Sequence, residues 1–122
     1  MKTRKELKQP NRERPQRAGV FQVKNTVNGK LLLGSSLNLD GPLNGHKFAL
    51  STGSHRNAAL QNDWNHYGAA AFVFEVLEEV RVTDDPHFNL SDELLLLEQI
   101  WAEQLQPFGE RGYNTDSKIR QA

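Results

Sequence analysis

The chain has 122 residues, with 15 Lys plus Arg against 15 Asp plus Glu and no cysteine. That length fits one domain, and the missing cysteine excludes disulfides, thiolate metal sites and cysteine nucleophiles. No apolar run approaches the roughly 20 residues of a membrane span, so the sequence predicts no transmembrane segment, no secretory signal and a cytoplasmic location.

The zero net charge is unevenly distributed. Residues 1–17 carry seven basic and two acidic side chains, and the remaining residues carry eight basic and thirteen acidic ones. An acidic body does not attract phosphate over its whole surface. The basic segment, with Arg12, Arg14 and Arg17 nearest the body, reads either as a solvated arm or as a local contact to nucleic acid. Pro10 and Pro15 and the scarcity of apolar residues predict a flexible tail over 1–16. One domain is expected over 17–115, followed by a C-terminal tail over 116–122.

Val20, Phe21 and Val23 suit a first strand over 18–25, and Leu31 to Leu33 a second over 30–35. Asn28-Gly29 between them reads as a two-residue hairpin turn with both residues at positive φ. Gly34-Ser35-Ser36 ends the second strand. A short helix is expected from about 40 to 51, capped by Asn38 or Asp40 and burying Leu39, Leu43 and Leu50. A second helix over 54–67 takes Ser54 as its cap, with Leu60, Trp64 and Tyr67 at helical spacing. Phe72, Phe74 and Val76 then share one face of a third strand. The last helix, about 90 to 105, starts at Asn89 or Ser91 and carries one apolar stripe of Leu94, Leu97, Trp101 and Leu105. The order is β-β-α-α-β-α. It gives a small α+β domain with helices on a mainly antiparallel three-stranded sheet.

Glu98 stands out because it lies about 40° from Leu94 on the helical wheel, on the inward side. A buried carboxylate needs a partner, a metal ion or an opening to water. Glu98 therefore reads either as a stripe-edge side chain that reaches water or a basic group, or as a divalent-metal ligand in a cleft. Ser35 and Ser36 can hold an anion through hydroxyls and backbone N–H groups, or simply end a strand. His46 is either a proton carrier or an ordinary helical histidine. Asn114, after Gly112-Tyr113, ties a loop to the body or touches substrate. His55, His66 and His87 show no metal-ligand spacing.

These segments together resemble the GIY-YIG nuclease domain. Gly19-Val20-Phe21 matches its first motif, Leu32-Leu33-Gly34 its second, and Gly34-Ser35-Ser36-Leu37-Asn38-Leu39 the stretch that often follows. The Asn28-Gly29 hairpin, Leu60 to Gly68, the strand from Phe72 to Glu78 and Gly112-Tyr113-Asn114 extend the likeness over about 18–115. The resemblance implies Glu98 as the ligand of Mg²⁺ or Mn²⁺ and Asn114 as a structural asparagine. It also implies that the two motif tyrosines and the phosphate-neutralising arginine are replaced, by Phe21, Leu32 and Pro42. None of the three replacements carries a hydroxyl or a cation. His46 falls where the family often has histidine or tyrosine and is the candidate surviving base. The expected function is therefore a catalytically degenerate nuclease-like domain that binds nucleic acid through its basic tail or binds a protein partner, with no membrane association. The alternative is a divergent Mg²⁺- or Mn²⁺-dependent endonuclease that uses Glu98 and His46, helped by Lys47 or Arg56. Monomer and dimer fit the pattern equally.

Overall fold

The computed structural model describes residues 17–114. The expected tails, with Arg12 and Arg14, lie outside the described residues. Strand β1 (Gly19–Asn25) runs antiparallel to β2 (Leu31–Ser36) and to β3 (Phe72–Glu79), giving the sheet order β2-β1-β3. Helices α1 (Asp40–Thr52) and α2 (Ala58–Tyr67) follow β2, and α3 (Leu90–Leu105) follows β3. This is the α+β architecture and element order that the sequence predicts. Among the described residues, no helix is long and apolar enough to cross a membrane.

Successive side chains on a strand point to opposite faces, so the sheet has two apolar sides. Phe21, Val23, Phe72 and Tyr113 pack with Leu39, Leu50 and Leu60 of the α1–α2 side. Val20, Leu31 and Leu33 pack against Leu97, Trp101 and Leu105 of α3. The domain is thus helices on both faces of one small sheet. Pairing between β1 and β3 shifts between Val20 and Phe21, so Leu77 is passed over. A bulge of this kind places two neighbouring side chains on one side. Leu77 packs into the α3 cluster, and Glu78 accepts a 2.8 Å hydrogen bond from the Trp101 indole.

Three local expectations are corrected. The hairpin uses four loop residues, Thr26 to Gly29, closed by Asn25 N–H to the Lys30 carbonyl and Gly29 N–H to the Asn25 carbonyl. Gly29 alone has positive φ, at 82°. The Asn25 and Asn28 side chains accept from Val27 N–H and Lys30 N–H, which makes a wider turn self-sufficient. The second helix starts at Ala58, not 54, because Asn57 is its cap and accepts from Leu60 N–H at 3.0 Å. At α1, neither Asn38 nor Asp40 caps the helix. Leu39 holds the cap position without a side-chain bond, and Ser36 Oγ accepts from Asn38 N–H. At α3, Asn89 caps by accepting from Asp92 N–H.

β2 is an edge strand, and its outer side is closed by the chain's return. Tyr113 N–H donates to the Leu31 carbonyl, while the Asn114 amide accepts from Leu33 N–H at 2.8 Å and donates to the Leu33 carbonyl at 3.0 Å. Asn114 thereby supplies both halves of a missing strand neighbour. Replacing Asn114 by Ala leaves Leu33 N–H and C=O without these bonds. The expected cost is about 2–3 kcal/mol of unfolding free energy, measured by urea denaturation at neutral pH, with Asn114→Asp recovering at most part of it.

Candidate nucleic-acid interface

The site grows from the exit of β2. Leu32 and Gly34 face the α1–α2 side, and Ser35 faces α3. A side chain at Gly34 would meet the Phe21 ring, whose Cζ would lie 2.5 Å from an added Cβ. Phe21 is 3% exposed and its ring centroid lies 5.5 Å from that of His46 on α1. Glycine at 34 is therefore what lets Phe21 cross the strand and reach His46.

The chain reverses after α1 at Gly53, which takes the left-handed conformation at φ 79°. The returning loop is pinned on both sides. His55 N–H donates to Gln61 Oε1 at 3.0 Å, and the buried Gln61 amide also donates to the Leu50 carbonyl. Asn57 donates through its side chain to the Tyr113 carbonyl at 2.7 Å. This brings His55 against His46, with Nδ1 of His46 and Nε2 of His55 2.8 Å apart and the rings stacked at 5.0 Å. Asn57 N–H donates to His55 Nδ1 at 3.0 Å. Pairing across nine residues is invisible to a search for ligand spacing. The signal available in the sequence was Gly53 between the two histidines.

Beside the pair opens a cleft of about 540 Å³. Leu32, Pro42, His46, His55 and Arg56 line it. Two of the three positions where the family resemblance implies a tyrosine or an arginine thus sit on its wall, as Leu32 and Pro42. No carboxylate is among the described residues lining it, and Arg56 is its one charged wall residue. Burial lowers the pKa of both histidines, and a neighbouring charge adds to the effect, from His55 upon His46 and from Arg56 upon His55. Tyr113, whose carbonyl accepts from Asn57, forms a second polar network through its hydroxyl. Its hydroxyl donates to Asp63 at 2.6 Å and accepts from Asn25 at 3.2 Å, and burial raises its pKa to about 12. It is an anchor for the hairpin and α2.

Glu98 lies on the opposite face of the sheet. It is 5% exposed and accepts a 2.6 Å hydrogen bond from the Ser35 hydroxyl. It is not among the residues lining the cleft. Ser36 is engaged with Asn38 backbone at 2.9 Å and 3.0 Å. Of the other predicted basic contacts, Arg17 donates to Glu79 at 3.0 Å and to Asp40 at 3.3 Å. Lys47 is exposed on α1 and does not line the cleft. Among the described residues, no group of three His, Cys, Asp or Glu could hold a metal ion. Mg²⁺ commonly takes one or two carboxylates and fills its shell with water and substrate phosphate. Glu98, 5% exposed and bonded to Ser35 at the exit of β2, is the carboxylate that would serve as the one protein ligand of such a cation.

The β2-β1-β3 sheet, the motif glycine at the exit of β2 and the inward carboxylate on the last helix define a GIY-YIG-like domain. The chain is similar to the catalytic domain of intron endonuclease I-TevI in a mutant form, with a TM-score of 0.66 and 26% identity over 84% of this chain and 96% of that one. A second structure, the catalytic domain of homing endonuclease I-TevI, gives a TM-score of 0.64 and 28% identity over 81% and 98%. Intron-associated endonuclease 1 of Enterobacteria phage T4 is 32% identical over 69 residues, which are 57% of this chain and 28% of the phage protein. No family model matches the sequence.

The histidine pair makes a signed pH prediction. A histidine whose pKa is lowered by folding binds fewer protons in the folded than in the unfolded chain, so stability rises with pH across that interval. It is fully present above the unfolded value of 6.5 and is lost as pH falls through 6.5 toward the lowered folded values. Urea midpoints followed from about pH 7.5 to about pH 5.5 should fall in the native chain. The fall should be smaller in the His46→Gln, His55→Gln double variant, because other titrating groups cancel in the comparison.

Proposed function

We propose that this domain binds nucleic-acid phosphate in the Arg56 cleft and has lost the ordinary hydrolytic chemistry of its nuclease relatives. The observation that carries the reading is the composition of the cleft wall. Leu32 and Pro42 offer no hydroxyl and no cation, while Arg56 contributes positive charge with no carboxylate beside it on the wall. Phosphodiester cleavage needs a positioned water and neutralisation of developing negative charge. Losing one such electrostatic contact costs about 3–4 kcal/mol of transition-state stabilisation, roughly a hundred- to a thousandfold in rate. Phe21, packed under Gly34 and against His46, removes the remaining motif hydroxyl. The similarity to I-TevI catalytic domains supports DNA as the ligand class. Arg12 and Arg14 of the basic segment would add sequence-independent phosphate contacts.

A second reading, a divergent metal-dependent endonuclease, is favoured by one observation. Glu98 is a buried carboxylate bonded to Ser35, and Mg²⁺ or Mn²⁺ would be held there, at the exit of β2 and outside the Arg56 cleft, where it would supply charge neutralisation.

The two readings separate in one assay series. Fluorescent duplex and branched DNA should bind with an affinity that falls steeply between about 50 and 200 mM salt, and deleting residues 1–16 should shallow that dependence. Under single-turnover conditions with Mg²⁺ or Mn²⁺, nicking by the native chain should not exceed that of Glu98→Gln. Metal-dependent nicking that Glu98→Gln abolishes would establish the second reading, and absence of DNA binding would refute the first.

A further inference from the structure

The hydrogen bonds around the histidine pair fix where its protons sit. His55 Nδ1 accepts from Asn57 N–H, so it carries no hydrogen of its own. In the neutral ring the hydrogen is then on His55 Nε2. That nitrogen lies 2.8 Å from His46 Nδ1 and donates to it. His46 Nδ1 is thereby an acceptor, and the hydrogen of neutral His46 is on Nε2. The opposite arrangement would set a His55 Nδ1 hydrogen against the Asn57 N–H. A main-chain amide thus dictates, through two rings, that His46 keeps a donor as its remaining ring nitrogen.

His46 and Arg56 line the same cleft, and Pro42 lies on the same wall. Arg56 sits between two residues held by Gln61 and Tyr113, so its main chain is positioned at the cleft while its side chain is exposed. We infer that Arg56 and the Nε2–H of His46 form a phosphodiester-oxygen site, with the cation that helix α1 lacks at Pro42 supplied instead from the loop after it. This rests on the reading that the cleft meets nucleic-acid phosphate, and it goes beyond that reading in two respects. It moves the phosphate clamp from α1 to the loop between α1 and α2, and it makes His46 a hydrogen-bond donor, not the base that activates water. Guanidinium and imidazole N–H groups donating to an anionic oxygen form charge-assisted bonds, which are stronger than neutral ones.

The test uses the full chain labelled with ¹⁵N at neutral pH. Long-range ¹⁵N–¹H spectra should show His46 and His55 both protonated at Nε2. Titration with thymidylyl-thymidine, which carries a single phosphodiester, should shift the His46 Nε2 and Arg56 Nε signals, and thymidine should shift neither. Duplex DNA affinity should fall about tenfold or more in Arg56→Gln, recover in part in Arg56→Lys, and stay within about twofold in the matched surface variant Arg81→Gln. A His46 ring protonated at Nδ1 would overturn the assignment. So would DNA binding that Arg56→Gln weakens no more than Arg81→Gln does, an outcome that leaves the nucleic-acid reading intact. Shifts of His46 and Arg56 with the dinucleotide, in a chain that binds no duplex, would support the anion site and refute the nucleic-acid reading instead.

Discussion

Strand β2 is the constraint on which everything else depends. It has one paired edge, along β1, and an outer edge held by Tyr113 and Asn114. Its alternation sends Leu31, Leu33 and Ser35 toward α3, and Leu32 and Gly34 toward α1 and α2. A slip of one residue would exchange the two sets, taking Ser35 away from Glu98 and Leu32 out of the cleft wall. The Asn114 clasp therefore fixes more than an edge. It sets which chemistry faces which side of the sheet.

The two sides differ in character. The α3 side holds polar contacts within its apolar layer, Ser35 with Glu98 and the Trp101 indole with Glu78, beside the packing of Leu97. On the other side, positions that could carry hydroxyls are given to packing. Phe21 fills the space over Gly34 and touches His46, and burying such a ring stabilises the fold by roughly 1.5–3 kcal/mol. The polar groups that remain there are organised by backbone. Asn57 serves three times, as the cap of α2, as the amide that orients His55 and as the side-chain donor to the Tyr113 carbonyl. The loop carrying Arg56 is thus tied to a helix start, to α2 through Gln61 and to the returning C-terminal segment through Tyr113.

Much of this was legible in the residues. Apolar periodicity located the three strands and three helices, and the wheel position of Glu98 announced its inward side, where it is 5% exposed. What was not legible depends on contacts between distant segments or on competition between equivalent local signals. Ser54 and Asn57 are both good caps, and only the Gly53 reversal and the Gln61 bond decide for Asn57. The His46–His55 contact requires the exit direction of α1, which no spacing rule encodes. The ion pairs of Arg17 with Glu79 and Asp40 depend on β3 and α1 coming together, which no local pattern encodes. The hairpin loop widened because Asn25 and Asn28 bond their own turn.

On the proposed function, the cleft lacks the groups that cleave a phosphodiester while a carboxylate stands behind β2. The most direct measurement is single-turnover nicking of plasmid and branched DNA, with Mg²⁺ and with Mn²⁺, by the native chain and by the variant Phe21→Tyr, Leu32→Tyr, Pro42→Arg. The variant should gain cleavage over its parent and lose it again when Glu98→Gln is added. Cleavage by the native chain at the variant's rate, or none by a folded variant that binds DNA, would contradict it.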